Sequence, residues 1–293
     1  MRRPTREELE TIVDSHELFL AGVDGGACAD LRDCEITFDL VGRDLSRAVL
    51  TGAVFRSVDL SDTKFEEALL SSARFEACTG SDANFSGATL ENATFQACVL
   101  PKAIFSAAIM PGATLQASRI DGGAFDSANL NDATLIHVIA MDSTFLEAEL
   151  SGTKLTHVDL RGASFSGSVG IEPTFTDSHL DDVRFDGAIM PDVVFTRVSL
   201  EGADFYRSAM PKVRFDTIRC DGATFTEAMM TEGFIRGADL GRCSLNDLDL
   251  RGTRIADGVT FPDDHGARLG RYNPKLSDHD MPRLTPSPRM TLG

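Results

Sequence analysis

The stretch Ala83-Asn84-Phe85-Ser86-Gly87-Ala88-Thr89-Leu90-Glu91-Asn92-Ala93-Thr94-Phe95-Gln96-Ala97-Cys98-Val99-Leu100 decides the fold. A large apolar residue falls every five positions (Phe85, Leu90, Phe95, Leu100). Two residues before each sits a small one (Ala83, Ala88, Ala93, Cys98). Followed outward, the register holds from Leu40 to Ile255 without slipping. Self-similarity at a fixed period marks a solenoid, in which each unit buries its apolar face only by stacking on its neighbours. That reading overrides the two-domain expectation that 293 residues would otherwise carry.

The units resemble the pentapeptide-repeat family, whose consensus is a small residue, Asp or Asn, Leu or Phe, a polar residue and Gly. Matching stretches are Ala203-Asp204-Phe205, Ala238-Asp239-Leu240-Gly241 and Val158-Asp159-Leu160-Arg161-Gly162. The resemblance implies an all-β solenoid: a right-handed, four-sided β-helix of about 11 coils, one pentad per side and about twenty residues per coil. At about 4.8 Å per coil the rod is on the order of 50 Å long.

Sorted by twenty, one side carries an unbroken core column: Phe65, Phe85, Phe105, Phe125, Phe145, Phe165, Phe185, Phe205 and Phe225. The side opposite carries Phe55, Phe75 and Phe95, then Leu115, Leu135 and Leu155, then Phe175, Phe195 and Phe215. The other two sides are mostly Leu and Met. The corners after the Leu/Met columns are mostly Gly, Asp or Asn (Gly52, Asp62, Asn92, Gly112), and those after the Phe columns are not. Positive φ favours these residues, so type II corners are expected after the Leu/Met sides and a different turn after the Phe sides. The register is weakest at Gly80, Ala140, Gly170 and Cys220. Pro173 predicts a local bulge, on the expectation that it removes a ladder donor.

Three segments are expected. Residues 1–26 form an N-terminal capping helix and linker. Thr5 and Glu8 have capping-box spacing, and Leu9, Ile12, Val13, His16 and Leu20 share one helical face. Residues 27–257 form the β-helix, with one residue missing from the register near Phe38. Residues 258–293 form a Pro/Arg-containing tail, extended or partly disordered, in which Val259, Phe261 and Leu269 could cover the last coil. The start lacks an apolar signal-peptide core and the chain has no long apolar run, which predicts a cytoplasmic protein without a membrane span.

The net charge of −17 argues against nucleic acid as a direct ligand. The six cysteines form no CxxC pair and read as reduced and buried. No phosphate-binding loop, catalytic triad or zinc motif is visible. His137 and His157 stack without a completing ligand, so no metal, cofactor or catalytic residue is assigned and the chain is not expected to be an enzyme.

The outer sides differ. The Phe55 side carries seven Lys/Arg against four Asp/Glu, the Leu60 side five against twelve, the Phe65 side five against nine and the Leu50 side two against seven. The outward slot of the Leu50 side is rich in apolar residues: Val49, Leu69, Ile109, Val169, Ile189 and Met229, with Pro111, Pro191 and Pro211 beside it. These nine form the candidate protein-binding side, for a protein partner or for self-association into a homodimer. The resemblance adds two functional expectations. One is a non-catalytic bacterial scaffold or adaptor accessory to a secretion or effector assembly. The other is a DNA mimic of the quinolone-resistance type, an acidic rod that occupies the DNA-binding surface of gyrase.

Overall fold

A computed structural model describes residues 1–263 and 266–269. It is a right-handed, four-sided parallel β-solenoid of about 11 turns with one helix at its N-terminal end. Most of the pairing between coils is in a twenty-residue register, as in Phe55↔Phe75 and Phe75↔Phe95. At the start the step is nineteen, Glu35↔Val54 and Asp30↔Val49, which is the residue missing near Phe38.

The four sides are not equivalent in backbone. The Phe55 side holds a twelve-stranded parallel sheet, running from Glu35–Ile36 through strands such as Val54–Arg56 and Thr114–Gln116 to Arg254–Ile255. The other three sides pair by mostly isolated bridges, for example Asp44↔Lys64, Val49↔Leu69 and Asp59↔Thr79. The corners explain the difference. After the Leu50, Leu60 and Phe65 columns the turn closes with a bond from residue i+3 to residue i: Ala53 N–H to Leu50 O at 3.0 Å, Thr63 to Leu60 at 3.0 Å, Ala68 to Phe65 at 3.1 Å. After the Phe55 column no such bond forms among the described residues, and the strand runs one residue further before bending. The expected split between Leu/Met and Phe corners is therefore corrected. Only the Phe55 corners differ, and positive φ occurs at both kinds, from Asp62 and Asn92 to Arg47, Ala77 and His137. Ala and Arg adopt it there because stacked neighbours impose the same bend coil after coil, outweighing the local preference for Gly and Asn.

Inside, rings stack along the axis and meet edge to face across it. Phe65, Phe85 and Phe105 lie 4.9 Å apart, nearly parallel. Phe85 meets Phe75 and Phe95 edge-on at 5.5 and 5.7 Å. The column from Phe65 to Phe225 is continuous and buried. Several of the Ser and Thr residues in the small inward slot donate their hydroxyl to a carbonyl of the coil below, as Thr63 does to Leu40 and Thr153 to Leu130, both at 2.8 Å, whereas Ser168 donates to Phe165 of its own coil. These buried hydroxyls are thereby satisfied without a partner side chain, while that of Ser208 is not.

No bulge occurs at Pro173. The strand Thr174–Thr176 pairs in register with Lys154–Thr156 and Val194–Thr196. The reason is that the slot's N–H serves the turn, not the ladder: its counterpart Thr153 bonds Leu150 O, and Pro173 gives up only that bond while its carbonyl still accepts from Val194. At Gly170 a Cβ would lie 2.7 Å from the Leu150 carbonyl carbon, closer than a side chain can come.

Both ends are covered. The helix spans Arg6–Leu20 behind an N-cap Thr5 whose capping box with Glu8 is complete. Leu9, Val13 and His16 are buried against the first coil, and Arg2 pairs with Cys34 at the open edge. At the other end the coil path continues beyond Asp257. Thr260 bridges Asp239, Arg268–Leu269 pairs with Asp249–Leu250, and Val259 and Phe261 pack on the core. Residues 270–293 of the expected tail lie outside the described residues. No helix among the described residues is long and apolar enough to cross a membrane.

Candidate protein-binding face

The outward slot of the Leu50 side forms one row of parallel bridges, Val49↔Leu69↔Thr89↔Ile109↔Asn129↔Glu149↔Val169↔Ile189↔Ala209↔Met229↔Asp249. The solenoid brings these residues together because each is twenty positions from the next and its side chain must point away from the packed interior. Leu69, Ile109, Val169, Ile189 and Met229 are 44, 48, 40, 52 and 42 % exposed. Val49, Pro111, Pro191 and Pro211 are half-buried beside them. The row is divided: Asn129 and Glu149 separate an N-terminal apolar group from a C-terminal one, and Asn131 donates to Glu149 at 3.1 Å across the division. Ile171 adds to the C-terminal group, and nothing in the repeat's small-polar-large pattern marks it. The Leu60 side carries a sparser apolar row, Val99 and Ile139 with Arg119 between them, that sequence sorting passed over.

Charge is organised differently on the four sides. On the Phe55, Leu60 and Phe65 sides many arginines are taken up by carboxylates within two residues or one coil: Arg161–Asp159, Arg197–Asp177 and Arg207–Glu227 at 2.6 to 2.7 Å. The guanidinium of Arg161 holds the Asp159 carboxyl below the usual carboxylate range, and Arg197 does the same for Asp177. The basic surplus of the Phe55 side is muted as well. Arg214 and Arg236 converge on Asp216, and Arg214 and Arg254 flank the Phe234 ring at 5.3 and 6.0 Å. Burial raises the Asp216 pKa, yet hydrogen bonds from Arg236 and Thr217 bring it below its ordinary value.

Other Asp and Asn residues hold corners. Asn84 accepts from the Ser86 N–H at 2.9 Å, Asp204 from Tyr206 at 2.9 Å, and Asn129 from Asn131 at 3.0 Å. An Asx side chain in this position completes the turn, which is why the repeat favours it one residue before the large slot. Carboxylates outside this economy occur on more than one side: Asp62, Asp82, Asp142 and Asp182 of the Leu60 side have no basic partner among the described residues, and the Leu50 side, where Asp249 does hold Arg251, has others. Glu91, Asp132, Glu172, Asp192 and Glu232 have no basic partner among the described residues. The apolar row thus runs beside uncompensated negative charge.

The groove of about 480 Å³ at the corner beyond the Phe55 side is lined by His157, Asp177, His179, Arg197, Ser199 and Arg219. Its carboxylate is occupied by Arg197 through two contacts of 2.6 Å. His137 and His157 stack at 4.8 Å, and among the described residues no group of three or more His, Cys, Asp or Glu is placed to hold a metal ion.

The family models "Pentapeptide repeat region" and "Pentapeptide repeats (8 copies)" match residues 29–105 and residues 125–168 and 175–216, respectively. No curated protein matches. Among solved structures the chain is similar to HetL, a pentapeptide repeat protein involved in heterocyst differentiation regulation from the cyanobacterium Nostoc sp. strain PCC 7120. The identity is 21 %, covering 82 % of this chain and 96 % of that one, with a TM-score of 0.33. It is also similar to full-length QnrB1, a plasmid-mediated fluoroquinolone resistance protein, at 17 % identity over 81 % and 94 % of the two chains, TM-score 0.39. A third likeness is the A-module of the mannuronan C-5 epimerase AlgE4 from Azotobacter vinelandii, at 10 % identity over 92 % and 94 %, TM-score 0.44. With matched repeats along the chain and a four-sided coil built from them, the chain belongs to the pentapeptide-repeat proteins.

Proposed function

We propose that the chain is a non-catalytic protein-binding scaffold acting in the cytoplasm, with its partner docked along the Leu50 side. The observation that carries the reading is the pairing on one side of an exposed apolar row with unpaired carboxylates. Apolar contact supplies affinity, and the negative rim steers a partner whose surface is apolar with basic flanks. The bipartite row suits a partner with two apolar anchors about five coils apart, roughly 24 Å at 4.8 Å per coil.

The experiment is a Leu69→Asp, Ile109→Asp, Ile189→Asp triple variant beside a Val99→Asp, Ile139→Asp control on the Leu60 side. Captured proteins are compared by mass spectrometry and oligomeric state by light scattering. Loss of a partner or of self-association in the triple variant alone is expected. Unchanged capture and unchanged mass would sink the reading.

Mimicry of nucleic-acid charge is the second reading, favoured by the net charge of −17. It is the weaker of the two, because many carboxylates are spent on Arg pairs and corner turns. Inhibition of gyrase supercoiling by the purified protein at micromolar concentration would restore it.

A further inference from the structure

From Leu60 to Cys220 the coils are joined on the Leu60 side by the same three backbone bonds at every step. Between the coils of Leu200 and Cys220 these are Leu200 N–H to Arg219 O at 2.6 Å, Gly202 N–H to Asp221 O at 2.9 Å and Arg219 N–H to Val198 O at 3.1 Å. One step later, between Cys220 and Leu240, none of the three forms among the described residues. The row of bridges that begins at Asp59 stops at Arg219 and resumes only at Asp239↔Thr260. The other three sides stay joined across this step, through Phe215↔Ile235, Thr224↔Ser244 and Met229↔Asp249. Two thiols occupy the opening. Cys220 fills a large slot, and its Sγ donates to Asp239 O at 3.3 Å, the carbonyl that its own N–H would reach in an unbroken ladder. Cys243 follows it by 23 positions, in the small slot of the next coil, and donates to Cys220 O at 2.9 Å. The two sulfurs lie 3.5 Å apart. A thiol is a weak donor, so these contacts replace three amide bonds poorly.

We propose that Cys220 and Cys243 form a redox modification site, oxidised by a peroxide to a disulfide that staples the last coils across the open side. Cys243 is the less buried of the two, 7 % exposed against 1 %, and is the sulfur a peroxide meets first. Its thiolate attacks one peroxide oxygen. The O–O bond breaks, the departing hydroxide takes up a proton to leave as water, and the sulfur becomes a sulfenic acid. The Cys220 thiolate then attacks that sulfur. The S–S bond forms, the S–O bond breaks, and the second hydroxide takes up the Cys220 proton and leaves as water. Two thiols have given up two electrons, and hydrogen peroxide has been reduced to two waters. A disulfide holds its sulfurs about 2.05 Å apart, so the two coils must draw together slightly. The missing ladder bonds no longer resist that movement. Cys78 and Cys98 provide the comparison within the same rod. Both lie in the small slot at 0 % exposure, each thiol donates to a carbonyl of the coil below at 3.3 Å, and the ladder around them is whole. They offer an oxidant no exposed sulfur and the backbone no slack. The staple stands apart from the docking face, which lies on the Leu50 side.

The test uses the folded full chain with Cys28→Ser, which removes the exposed thiol that would otherwise consume oxidant. It is treated with equimolar hydrogen peroxide, then denatured and alkylated with iodoacetamide, and its tryptic peptides are mapped by mass spectrometry. A peptide pair linked through Cys220 and Cys243 is expected, reversed by dithiothreitol, with Cys78 and Cys98 still alkylated. In hydrogen exchange the oxidised chain should gain protection of about tenfold or more over residues 239–250. The gain should be absent from a Cys243→Ser chain, which keeps the fold because serine already fills the small slot at Ser118 and Ser143. Four results would each overturn the proposal: no linked peptide, a Cys78–Cys98 link in its place, a link that forms only in the urea-unfolded chain, or a linked chain whose protection is unchanged.

Discussion

Replacing Phe85 and Phe145 by Leu, one at a time, should cost different amounts although both sit in the same column. Each ring stacks on two neighbours, Phe85 on Phe65 and Phe105 at 4.9 Å and Phe145 on Phe125 and Phe165 at 4.7 and 4.5 Å. Phe85 also makes two edge contacts, to Phe75 and Phe95. Phe145 makes none among the described residues, because Leu135 and Leu155 stand opposite it. An aromatic pair contributes about 0.5–1.5 kcal/mol beyond its buried area. Two stacked pairs lost at Phe145 then amount to about 1–3 kcal/mol, and two stacked plus two edge pairs at Phe85 to about 2–6 kcal/mol. Lost volume is the same in both variants and cancels in the comparison. The assay is guanidinium unfolding followed by far-UV circular dichroism. Phe85→Leu is expected to exceed Phe145→Leu by about 1–3 kcal/mol. Equal costs, or the reverse order, would refute the claim that edge-to-face contact across the coil contributes to stability.

Two further outcomes test the ends and the irregular slots. His16 is fully buried, accepts from the Ala29 N–H through Nδ1 at 3.0 Å and reaches Ser46 O through Nε2 at 2.9 Å, an arrangement suited to the neutral ring. Burial lowers its pKa, with the Ser46 bond, Asp44 and Glu17 opposing and Arg47 assisting. Its contribution is therefore complete above the unfolded value of about 6.5 and is lost as pH falls from there toward the lowered folded value. The hydrogen-exchange protection of residues 6–20, taken relative to the intrinsic rate at each pH, should fall over that interval. His16→Ala should remove the pH dependence and weaken the cap at all pH, and a cap indifferent to pH in the native chain would contradict the assignment. Gly170→Leu restores the repeat's preferred residue yet should destabilise the rod by about 1–3 kcal/mol, since its Cβ would meet the Leu150 backbone at 2.7 Å. A stabilised variant in the same unfolding assay would show that the close approach to Leu150 does not require glycine.

Much of the fold was legible because each pentad repeats one physical demand. A small residue and a large one must alternate inward for coils of constant volume to stack, so the columns, the capping box at Thr5 and Glu8, and the missing residue near Phe38 could be read from spacing alone. Corner geometry was only half legible. Gly, Asp and Asn report where positive φ is preferred, but Ala77, Arg197 and Thr217 adopt it because neighbouring coils impose it. Pro173 was misread for a related reason: spacing does not say whether an N–H serves a turn or a ladder. The apolar row of the Leu50 side, with Asn129 and Glu149 inside it, followed from counting by twenty, but which of its carboxylates lack a basic partner did not.

By itself, then, the sequence determined the period, the inward columns and the side on which outward apolar residues gather, since these depend on separation along the chain. Only the tertiary structure decided which carboxylates are spent on arginines and corner amides and which remain uncompensated, and on which side the described chain ends. Those depend on which side chains meet across adjacent coils, a property of distance in space that five-residue spacing does not encode.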